Sequence, residues 1–365
     1  MRVIAVSPIS MGYGGPQIGY LVSSLLGHYG GGEACILETN QPERPPRPEL
    51  FPGIELVRVC TEAPPFGGEG FGRTEYVVKA SAIVNRRRPD VLIVADPYTL
   101  PVLFKLRFRP AKVIYYALEL LSPDWDPPEN FRIARYLQRY VDLVIHTGEN
   151  RARLHIERCG YRQVPHLVLY NAPPARPGGH ILPPSRRNGA ILYQGTIEEE
   201  GTLARYLLGE AVQRCRIDLY GHFAGPRRDS LREKLLALRG GVRYCGYLNE
   251  AELAQRRRAY DYSIVIWNPS TENRLYASPN KLFESIADGV PPISAPHPQC
   301  RKIIDRYRCG LLMEDWSEAA FLQALQRAAS LKRSPAYDEM VGGCERATAT
   351  DLNWERQFEK VIPYL

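Results

Sequence analysis

Several residues in the run SPNKLFESIADGVP, positions 278–291, are of the types that bind phosphate-bearing ligands. Ser278 can cap a helix, and Pro279 suits the first helical position. Gly289 and the nearby Pro291 predict that the helix ends at Asp288. The first turn of such a helix presents unpaired N–H groups and the positive end of the helix dipole, so this stretch predicts an anion-binding helix terminus.

Polar and apolar residues separate onto two faces of this predicted helix. The residues expected in a buried stripe are Leu282, Phe283, Ile286 and Ala287, whereas Asn280, Lys281, Glu284 and Asp288 lie off the stripe. The Lys281 ammonium would favour a pyrophosphate beside the helix terminus, and Glu284, one turn further on, could accept hydrogen bonds from a ribose diol. The alternative is an ordinary surface helix with a weak contact between Lys281 and Glu284.

The run PNKLFESIADGVPPIS resembles the signature near the C-terminal end of GT-B glycosyltransferases of the family-four type, the retaining glycosyl transferases of group 1. The resemblance implies that Glu284 holds the ribose of a nucleotide-sugar. It also implies that the helix N terminus, with Ser278, Asn280 and Lys281, faces the diphosphate. The fold that it implies is α/β, with two Rossmann-like domains facing each other across a cleft.

The composition is that of a globular protein with two domains. The chain has 365 residues and 44% apolar content, enough for two hydrophobic cores. The start, MRVIAVSPIS, predicts a buried strand rather than a signal peptide, and no apolar run approaches membrane-spanning length. The 8 cysteines are scattered, without CxxC or zinc-type spacing, and predict reduced, mostly buried thiols. We therefore expect a cytoplasmic protein.

The net charge is +7, and several arginine-rich patches occur along the chain. These lie at 86–88, at Arg132, Arg135 and Arg139, and at 256–258. Such patches suit anionic ligands or peripheral contact with an anionic membrane, and solvated helix faces are the simpler interpretation of each. No nucleic-acid-binding motif accompanies them, so we expect no nucleic-acid partner.

The N-terminal part reads as strand, glycine loop and helix, the start of a Rossmann-like domain. The loop MGYGGPQ lacks the dinucleotide fingerprint, because the third glycine after Gly12 and Gly14 would fall at Gln17. Glu38 nevertheless ends the next strand where a ribose-binding acid would lie. An NAD-dependent Rossmann enzyme therefore remains a lesser alternative.

Three further features of this half resemble the glycosyltransferase pattern. The pair Gly14 and Gly15 resembles the glycine loop through which N–H groups approach the donor phosphate, with a tight turn as the alternative. Asp96 follows the apolar run VLIVA and resembles the acid that lines the cleft, with a helix N-cap as the alternative. Glu119 matches the Glu of a His-Glu pair, although Leu118 replaces the His.

The Asp-Trp-Asp run at 124–126 suggests a metal-dependent glycosyltransferase as an alternative. Asp124 and Asp126 would hold a divalent ion on the diphosphate in the other glycosyltransferase fold. Two acids among prolines more often form a solvated loop. We therefore expect no metal and no cofactor apart from the donor substrate.

A segment crowded with Pro, Gly and Arg, without periodicity, marks the domain boundary. The predicted organisation is an acceptor-side domain over 1–172, a linker over 173–189, a nucleotide-sugar-binding domain over 190–348, and a C-terminal helix over 349–365. Trp354 and Phe358, at i and i+4, would anchor that helix on the N-terminal domain.

The second half begins with a strand that ends in Gly195, as the resemblance requires. Thr196 stands next, and the Arg and Lys that many relatives place after this glycine to hold the diphosphate are missing. The acidic run EEE at 198–200 could repel a diphosphate.

Other donor-site positions match in part. Tyr247 and Leu248 resemble the loop that meets the nucleobase, with a core tyrosine as the alternative. Tyr276 replaces a Glu that relatives carry eight residues before Glu284, and Arg274 could restore positive charge.

The resemblance implies transfer of a sugar from a nucleotide-diphosphate sugar to an acceptor hydroxyl, with retention of configuration and without metal. Lys281 would stabilise the leaving group, while Asp96 and Glu119 position the sugar and the acceptor. The acceptor would be a sugar, a lipid-linked saccharide or a small molecule, in polysaccharide, glycolipid or secondary-metabolite glycosylation. A non-catalytic nucleotide-sugar-binding protein is the alternative, because several donor motifs are absent.

Overall fold

The computed structural model describes residues 1–63, 70–124, 126–176 and 181–365, which form two α/β units. The first unit comprises Met1–Tyr170 and Phe358–Leu365, and the second comprises Asn171–Gln357. Each unit has its own parallel sheet and its own buried core. Two Rossmann-like α/β domains, as predicted from the sequence, are thus confirmed.

The sheet of the first unit has seven parallel strands in the order β3-β2-β1-β4-β5-β6-β7. The strands are β1 (Arg2–Val6), β2 (Glu33–Thr39), β3 (Glu55–Val59), β4 (Val91–Ala95), β5 (Lys112–Ala117), β6 (Leu143–His146) and β7 (His166–Val168). Runs such as VLIVA in β4 are apolar throughout and fully buried, because helices cover both faces of a parallel sheet. The strand order reverses between β1 and β4.

The α-helices described between β1 and β7 are α1 (Pro16–His28), α2 (Gly70–Arg87), α3 (Pro128–Leu137) and α4 (Glu149–Cys159). Short 3-10 helices lie at Pro48–Leu50, Leu100–Lys105, Gln138–Tyr140 and Ile362–Tyr364. Pro16 opens α1 directly after Gly15, as the strand, glycine loop and helix pattern predicted. The helix expected after Asp96 is the 3-10 segment Leu100–Lys105.

The second unit has six parallel strands in the order β10-β9-β8-β11-β12-β13. They are β8 (Ile191–Gln194), β9 (Ile217–Tyr220), β10 (Val242–Tyr244), β11 (Tyr262–Val265), β12 (Pro292–Ser294) and β13 (Leu311–Leu312). Two 3-10 helices, Ala204–Leu208 and Val212–Arg214, connect β8 to β9. The strand order reverses between β8 and β11.

The helices that follow in sequence complete the second unit, and the last of them leads back to the first. They are α5 (Arg228–Ala237), α6 (Glu250–Arg257), α7 (Glu272–Leu275), α8 (Asn280–Ala287), α9 (Pro298–Tyr307), α10 (Glu318–Leu331), α11 (Pro335–Thr350) and α12 (Trp354–Glu359), after a 3-10 turn at Pro184–Arg186. In the described part of the chain, no helix is long and apolar enough to cross a membrane.

Asn171, near the end of the predicted first domain, and residues of the predicted linker (173–189) contact helix α8 within the described segments 171–176 and 181–189. Asn171 Nδ2 donates to the carbonyl of Ser278 over 2.7 Å, just before the helix. Arg176 pairs with Asp288 at 3.0 Å, at the other end. Residues 177–180 of the predicted linker lie outside the described residues.

The cysteine prediction is confirmed for most positions. All eight thiols are free, and the buried ones are Cys35, Cys159, Cys300, Cys309 and Cys344. Cys60 and Cys245 are exposed.

Candidate active site

The candidate residues of the second unit gather where its strand order reverses. Ligands in parallel α/β sheets bind at such a point, outside the carboxyl ends of the strands. Gly195 and Thr196 follow β8, and Trp267 and helix α8 follow the neighbouring strand β11. Gly195 is exposed with φ 111°, and a Cβ built on it would meet nothing within 4 Å. This end of the sheet is therefore open to a ligand beside Gly195.

Helix α8 begins one residue later than the sequence predicted. Pro279, with extended backbone, is the N-cap residue, and no side-chain hydrogen bond caps this end. The prediction that Ser278 caps the helix is wrong, because Ser278 Oγ is buried without a partner among the described residues. The predicted end is confirmed: Asp288 is the C-cap, and Gly289 follows with φ 68°. The N terminus of α8 is thus free of a side-chain cap.

The Lys281 ammonium lies over two aromatic rings. Its Nζ is 5.3 Å from the ring centroid of Tyr193 and 5.8 Å from that of Trp267. Burial lowers the pKa of Lys281 to about 8. Among the described residues, no carboxylate lies within salt-bridge distance of Nζ. The alternative prediction of a surface helix with a Lys281–Glu284 contact is therefore wrong. Lys281 is a partly desolvated cation whose charge is not neutralised by an ion pair.

Glu284 is mostly buried and is held through one of its oxygens. Gln194 Nε2 donates to Oε2 over 2.6 Å, and Arg257 Nη2 lies 3.3 Å from the same oxygen. Burial, more than any neighbouring charge, raises the pKa of Glu284 to about 7. Neither of these described contacts engages Oε1, which can accept from a ligand hydroxyl.

Arg257 is the buried centre of this charge cluster. Its side chain is 0% exposed, and its guanidinium contacts Glu250 at 2.8 Å and Asp288 at 2.6 Å, besides Glu284. Arg257 Nε also donates to Gln194 Oε1 over 2.8 Å. Such a pairing is required, because an unpaired buried charge is strongly unfavourable.

The sequence prediction was wrong for Arg257 and Asp288. A solvated face was expected for 256–258, and Arg256 is indeed exposed, but Arg257 lies with Leu253 and Ala254 on the buried face of α6. Asp288 was placed on a polar face and is fully buried. The sequence did contain one sign that Arg257 is buried: it follows Leu253 at i+4, which places both residues on the same face of a helix.

The predicted donor-site residues on loops, Thr196, Tyr247 and Leu248, differ in their contacts and in their exposure. The carbonyl of Thr196 accepts from Tyr193 Oη over 2.7 Å. Tyr247, after Gly246 with φ 94°, is 51% exposed, so its interpretation as a core tyrosine is wrong. Leu248 is partly buried against the core around Leu253.

The acidic run that could repel a diphosphate is matched by arginines. The pairs are Glu198 with Arg274 at 3.8 Å, Glu199 with Arg227 at 2.8 Å, and Glu200 with Arg205 and Arg227. Opposite charges at these distances reduce the repulsion that the run exerts on an anionic ligand.

In the first unit, two predicted features also flank the reversal of strand order. The glycine loop follows β1, and Asp96 follows β4. Gly15, with φ 55°, is the N-cap of α1, and a Cβ there would lie 2.9 Å from Ile9 Cδ1. Gly14 has no positive φ in this loop. Glycine is therefore required at 15 both by backbone conformation and by space.

Asp96 connects the ends of two strands. It is buried with φ 68°, and its Oδ1 accepts from the N–H of Glu119 over 2.7 Å. Burial, then the nearby Glu119 carboxylate, raises its pKa to about 8. The N-cap interpretation is wrong, since Thr99 occupies the N-cap position of the following 3-10 helix.

Glu119 is half-exposed and pairs with an arginine that the sequence did not single out. Arg151 Nη2 lies 3.2 Å from Glu119 Oε2, and Nη1 donates to the carbonyl of Leu118. Arg151 is itself buried on α4. Asp96 and Arg151 together fix the segment that carries Glu119.

Glu38 is engaged by the protein. It is fully buried, accepts from the N–H of Met11 over 2.6 Å and pairs with Arg58 at 3.0 Å. Its carboxylate oxygens bind the glycine loop and Arg58. The NAD-dependent alternative rested on Glu38 as the ribose-binding acid, and that support is therefore lost.

Asp124 and Asp126 do not converge. Asp126 accepts from Tyr98 Oη over 2.8 Å and from the N–H of Ser122 over 3.0 Å, whereas Asp124 is exposed. Trp125 between them lies outside the described residues. In the ranges that the structure describes, no group of three His, Cys, Asp or Glu side chains is arranged to hold a metal ion.

Residues 190–330 match the sequence model of the family described as Glycosyl transferases group 1. The fold is that of GT-B glycosyltransferases. Anabaena HepE, solved in complex with UDP, superposes with a TM-score of 0.73 at 14% identity, covering 100% of this chain and 99% of HepE.

Two other solved structures have the same fold. Sucrose-phosphate synthase from Thermosynechococcus elongatus has a TM-score of 0.71 at 15% identity, with coverage of 100% and 98% of the two chains. A glycosyltransferase from Rickettsia africae has a TM-score of 0.73 at 13% identity, with coverage of 100% and 97%. No curated protein sequence matches this chain.

Proposed function

We propose that this protein transfers a sugar from a nucleoside-diphosphate sugar to an acceptor hydroxyl. The observation that carries the proposal is the arrangement at α8, in the part of the chain that matches the glycosyl transferases group 1 model. There a helix N terminus without a side-chain cap, a Lys281 ammonium with no ion-pair partner among the described residues, and the oriented Glu284 carboxylate occur together. HepE, which shares the fold, is also solved in complex with UDP-glucose. That complex supports a nucleotide-sugar as the donor class.

The residues divide the chemistry between donor and acceptor. As the bond from the anomeric carbon to the diphosphate oxygen breaks, negative charge grows on the diphosphate, and Lys281 with the α8 terminus stabilises it. Glu284 Oε1 accepts from the ribose diol. The acceptor oxygen bonds to the anomeric carbon on the face from which the diphosphate departs, and its proton passes to the leaving diphosphate oxygen. The sugar therefore keeps its configuration without a side-chain nucleophile, and Lys281 with the helix terminus takes the place of a metal. Asp96 and Glu119 position the sugar and the acceptor.

Hydrolysis and transfer from UDP-, GDP- and ADP-sugars test this function. We expect turnover of at least one donor in the presence of a chelator, together with stabilisation by the corresponding nucleoside diphosphate. Loss of turnover in chelator and its return with manganese would contradict the metal-free chemistry. Saturable donor binding without turnover would favour a non-catalytic nucleotide-sugar-binding protein, the alternative suggested by Leu118 at the His position and Tyr276 at the first Glu position.

A surface of the first unit supports peripheral contact with an anionic membrane, where a lipid-linked acceptor would lie. Phe104 and Tyr136 are 49% and 43% exposed, and their rings stack at 5.2 Å. Arg139 lies 3.9 Å over the Tyr136 ring, and Lys105 and Arg135 are also exposed. Aromatic side chains within a basic surface suit the headgroup region of a bilayer.

Vesicle sedimentation tests this contact. We expect binding to phosphatidylglycerol vesicles and little to phosphatidylcholine vesicles, with a loss on Phe104→Ser. Leu236→Ser removes an equally exposed apolar side chain from α5 and serves as the matched control. Equal binding of Phe104→Ser and the parent would exclude this surface.

A further inference from the structure

Trp267 contacts two cationic residues of the candidate site through different parts of one side chain. Its ring lies 5.8 Å from Lys281 Nζ. Its indole N–H donates a 2.7 Å hydrogen bond to the backbone carbonyl of Arg274 in α7. Trp267 follows β11, at the reversal of strand order where the candidate residues gather.

The two rings around Lys281 come from neighbouring parallel strands. Tyr193 lies on β8, which pairs with β11, and Trp267 follows β11. Aromatic faces attract an ammonium electrostatically without neutralising its charge. Lys281 is therefore oriented by the rings, while its positive charge stays available to an anionic ligand.

Arg274 depends on tethers to the rest of the unit. Its helix α7 spans only Glu272–Leu275, and a helix this short is not stable by itself. Thr271 Oγ1 accepts from the N–H of Arg274 over 3.2 Å, and the indole of Trp267 binds its carbonyl. The Trp267 indole thus helps to fix the backbone from which the Arg274 guanidinium extends.

The Trp267 ring is itself held in place. It stacks on the His297 ring with centroids 3.6 Å apart and an interplanar angle of 11°. Trp316 Nε1 donates to His297 Nε2 over 3.2 Å. Burial lowers the pKa of His297 to about 3, so this ring is neutral and adds no charge that competes with Lys281. Trp267 is a rigid element between two cations.

We propose that Trp267 is a positioning residue for the diphosphate of the donor. Its face orients Lys281 and its N–H orients Arg274, so one side chain sets the placement of two phosphate-binding cations. The inference rests on the proposed function, because it takes the ligand to be a nucleoside diphosphate. It goes further by assigning a specific role to an uncharged residue that acts on the donor through Lys281 and Arg274.

Two substitutions separate the two contacts. Trp267→Phe keeps an aromatic face toward Lys281 and removes the N–H that binds the Arg274 carbonyl. Trp267→Leu removes both. Trp354 is also buried in this unit, and its backbone N–H donates to Pro173. Trp354→Phe and Trp354→Leu are therefore matched controls for the loss of a buried indole.

Inorganic pyrophosphate is the probe, because it carries neither base nor sugar. Calorimetric titration should show pyrophosphate binding weakened about tenfold by Trp267→Leu and about threefold by Trp267→Phe, with both controls within about twofold of the parent. The pH profile of kcat/KM provides a second readout. Its alkaline limb, set by the lowered pKa of Lys281, should move to lower pH in Trp267→Leu, since leucine keeps the site apolar but removes the aromatic attraction that favours the protonated ammonium, and stay unmoved in Trp267→Phe.

The outcomes separate this assignment from the proposed function. Suppose that the parent protein binds UDP, ADP or GDP, and that Trp267→Leu folds but keeps its pyrophosphate affinity and its alkaline limb. That result overturns the role of Trp267 and leaves the proposed function standing. A parent that binds none of these nucleotides overturns the proposed function and the assignment with it. If Trp267→Leu does not fold, Trp267→Phe decides, and pyrophosphate affinity equal to that of the parent overturns the Arg274 contact.

Discussion

Gln194 and Glu284 are joined by a 2.6 Å hydrogen bond from the amide Nε2 to the carboxylate Oε2. Gln194 is the last residue of β8, and Glu284 lies in the middle of α8, so the contact ties the strand end to the helix across the reversal of strand order. The orientation of the carboxylate is therefore set before any ligand arrives. A ribose diol would meet an acceptor whose position is already fixed, which favours binding.

Glu284→Gln should weaken binding of the free nucleotide and of the nucleotide-sugar to the same extent. The contact to the ribose exists in the ground state and in the transition state alike, so kcat should change little. A lost charged hydrogen bond predicts about tenfold to hundredfold weaker binding by calorimetry. Glu233→Gln, an exposed change on α5, is the control. Equal affinities of Glu284→Gln and the parent would remove Glu284 from the donor site.

Lys281→Met should act mainly on the bound complex. Charge grows on the diphosphate during bond cleavage, so the loss should raise the barrier by roughly 2 to 4 kcal/mol, seen in kcat more than in KM. In the parent, kcat/KM should fall as pH rises above about 8, where the ammonium loses its proton. Lys234→Met, an exposed lysine on α5, should leave both properties unchanged. If Lys281→Met keeps near-native turnover, Lys281 does not stabilise the leaving diphosphate.

Arg257→Met should destabilise the protein severely. Removal of the guanidinium leaves the buried Asp288 carboxylate without its 2.6 Å partner, and breaking a buried ion pair in this way costs about 3–5 kcal/mol. The neighbouring Arg256→Met removes an exposed arginine and should change the free energy of unfolding by about 0.5 kcal/mol or less. Urea unfolding of both variants measures the difference. Similar midpoints for the two would show that the Arg257 cluster contributes little.

The protein should lose stability in acid through a histidine cluster in the first unit. His146 and His166 share a 2.9 Å contact, and His155 is buried beside them with neither ring nitrogen bonded among the described residues. Burial lowers the pKa of all three, that of His155 to about 3. Between pH 6.5 and about 3 the unfolded chain therefore binds more protons than the folded chain. For His155 the free energy of unfolding should fall by about 1.4 kcal/mol per pH unit in this range, and His146 and His166 should add contributions of the same sign.

His155→Phe tests the cluster directly. It removes one titrating ring and fills the same space, so the slope of stability against pH below 6.5 should decrease, and stability at pH 5 should rise. The exposed His28→Phe is the control. An unchanged slope in His155→Phe would show that this ring does not titrate on unfolding. Thermal unfolding at a series of pH values measures both variants.

The fold could be predicted because the signals were local and repeated. The bounds of α10 follow from the periodic run EAAFLQALQRAASL, and each buried strand shows as a short apolar run between turn residues. The organisation predicted above does not include helix α11. Ser334 and Pro335 nevertheless mark its start, and its helical stripe comprises Tyr337, Met340, Val341 and Cys344. Its residues are less apolar than those of α10, so the stripe was easier to overlook.

The site could be predicted only in part, because its decisive contacts join residues far apart in sequence. Lys281 and Glu284 were found from a contiguous motif. Trp267, Gln194 and Arg257 were not, since each acts through a tertiary contact that no local pattern records. Arg257 in particular is one of three adjacent arginines, and only the packing of α6 distinguishes the buried one.

The segment that precedes β8 has a consequence for excising the second domain. Asn171 and Arg176 bind the two ends of α8, and Arg187 donates to the carbonyl of Gly289 over 2.8 Å. A fragment limited to residues 190–330, the part that matches the family, would lack all three side chains. An independently folding second unit should therefore start at Asn171, because the described residues at 171–176 and 181–189 hold both ends of α8.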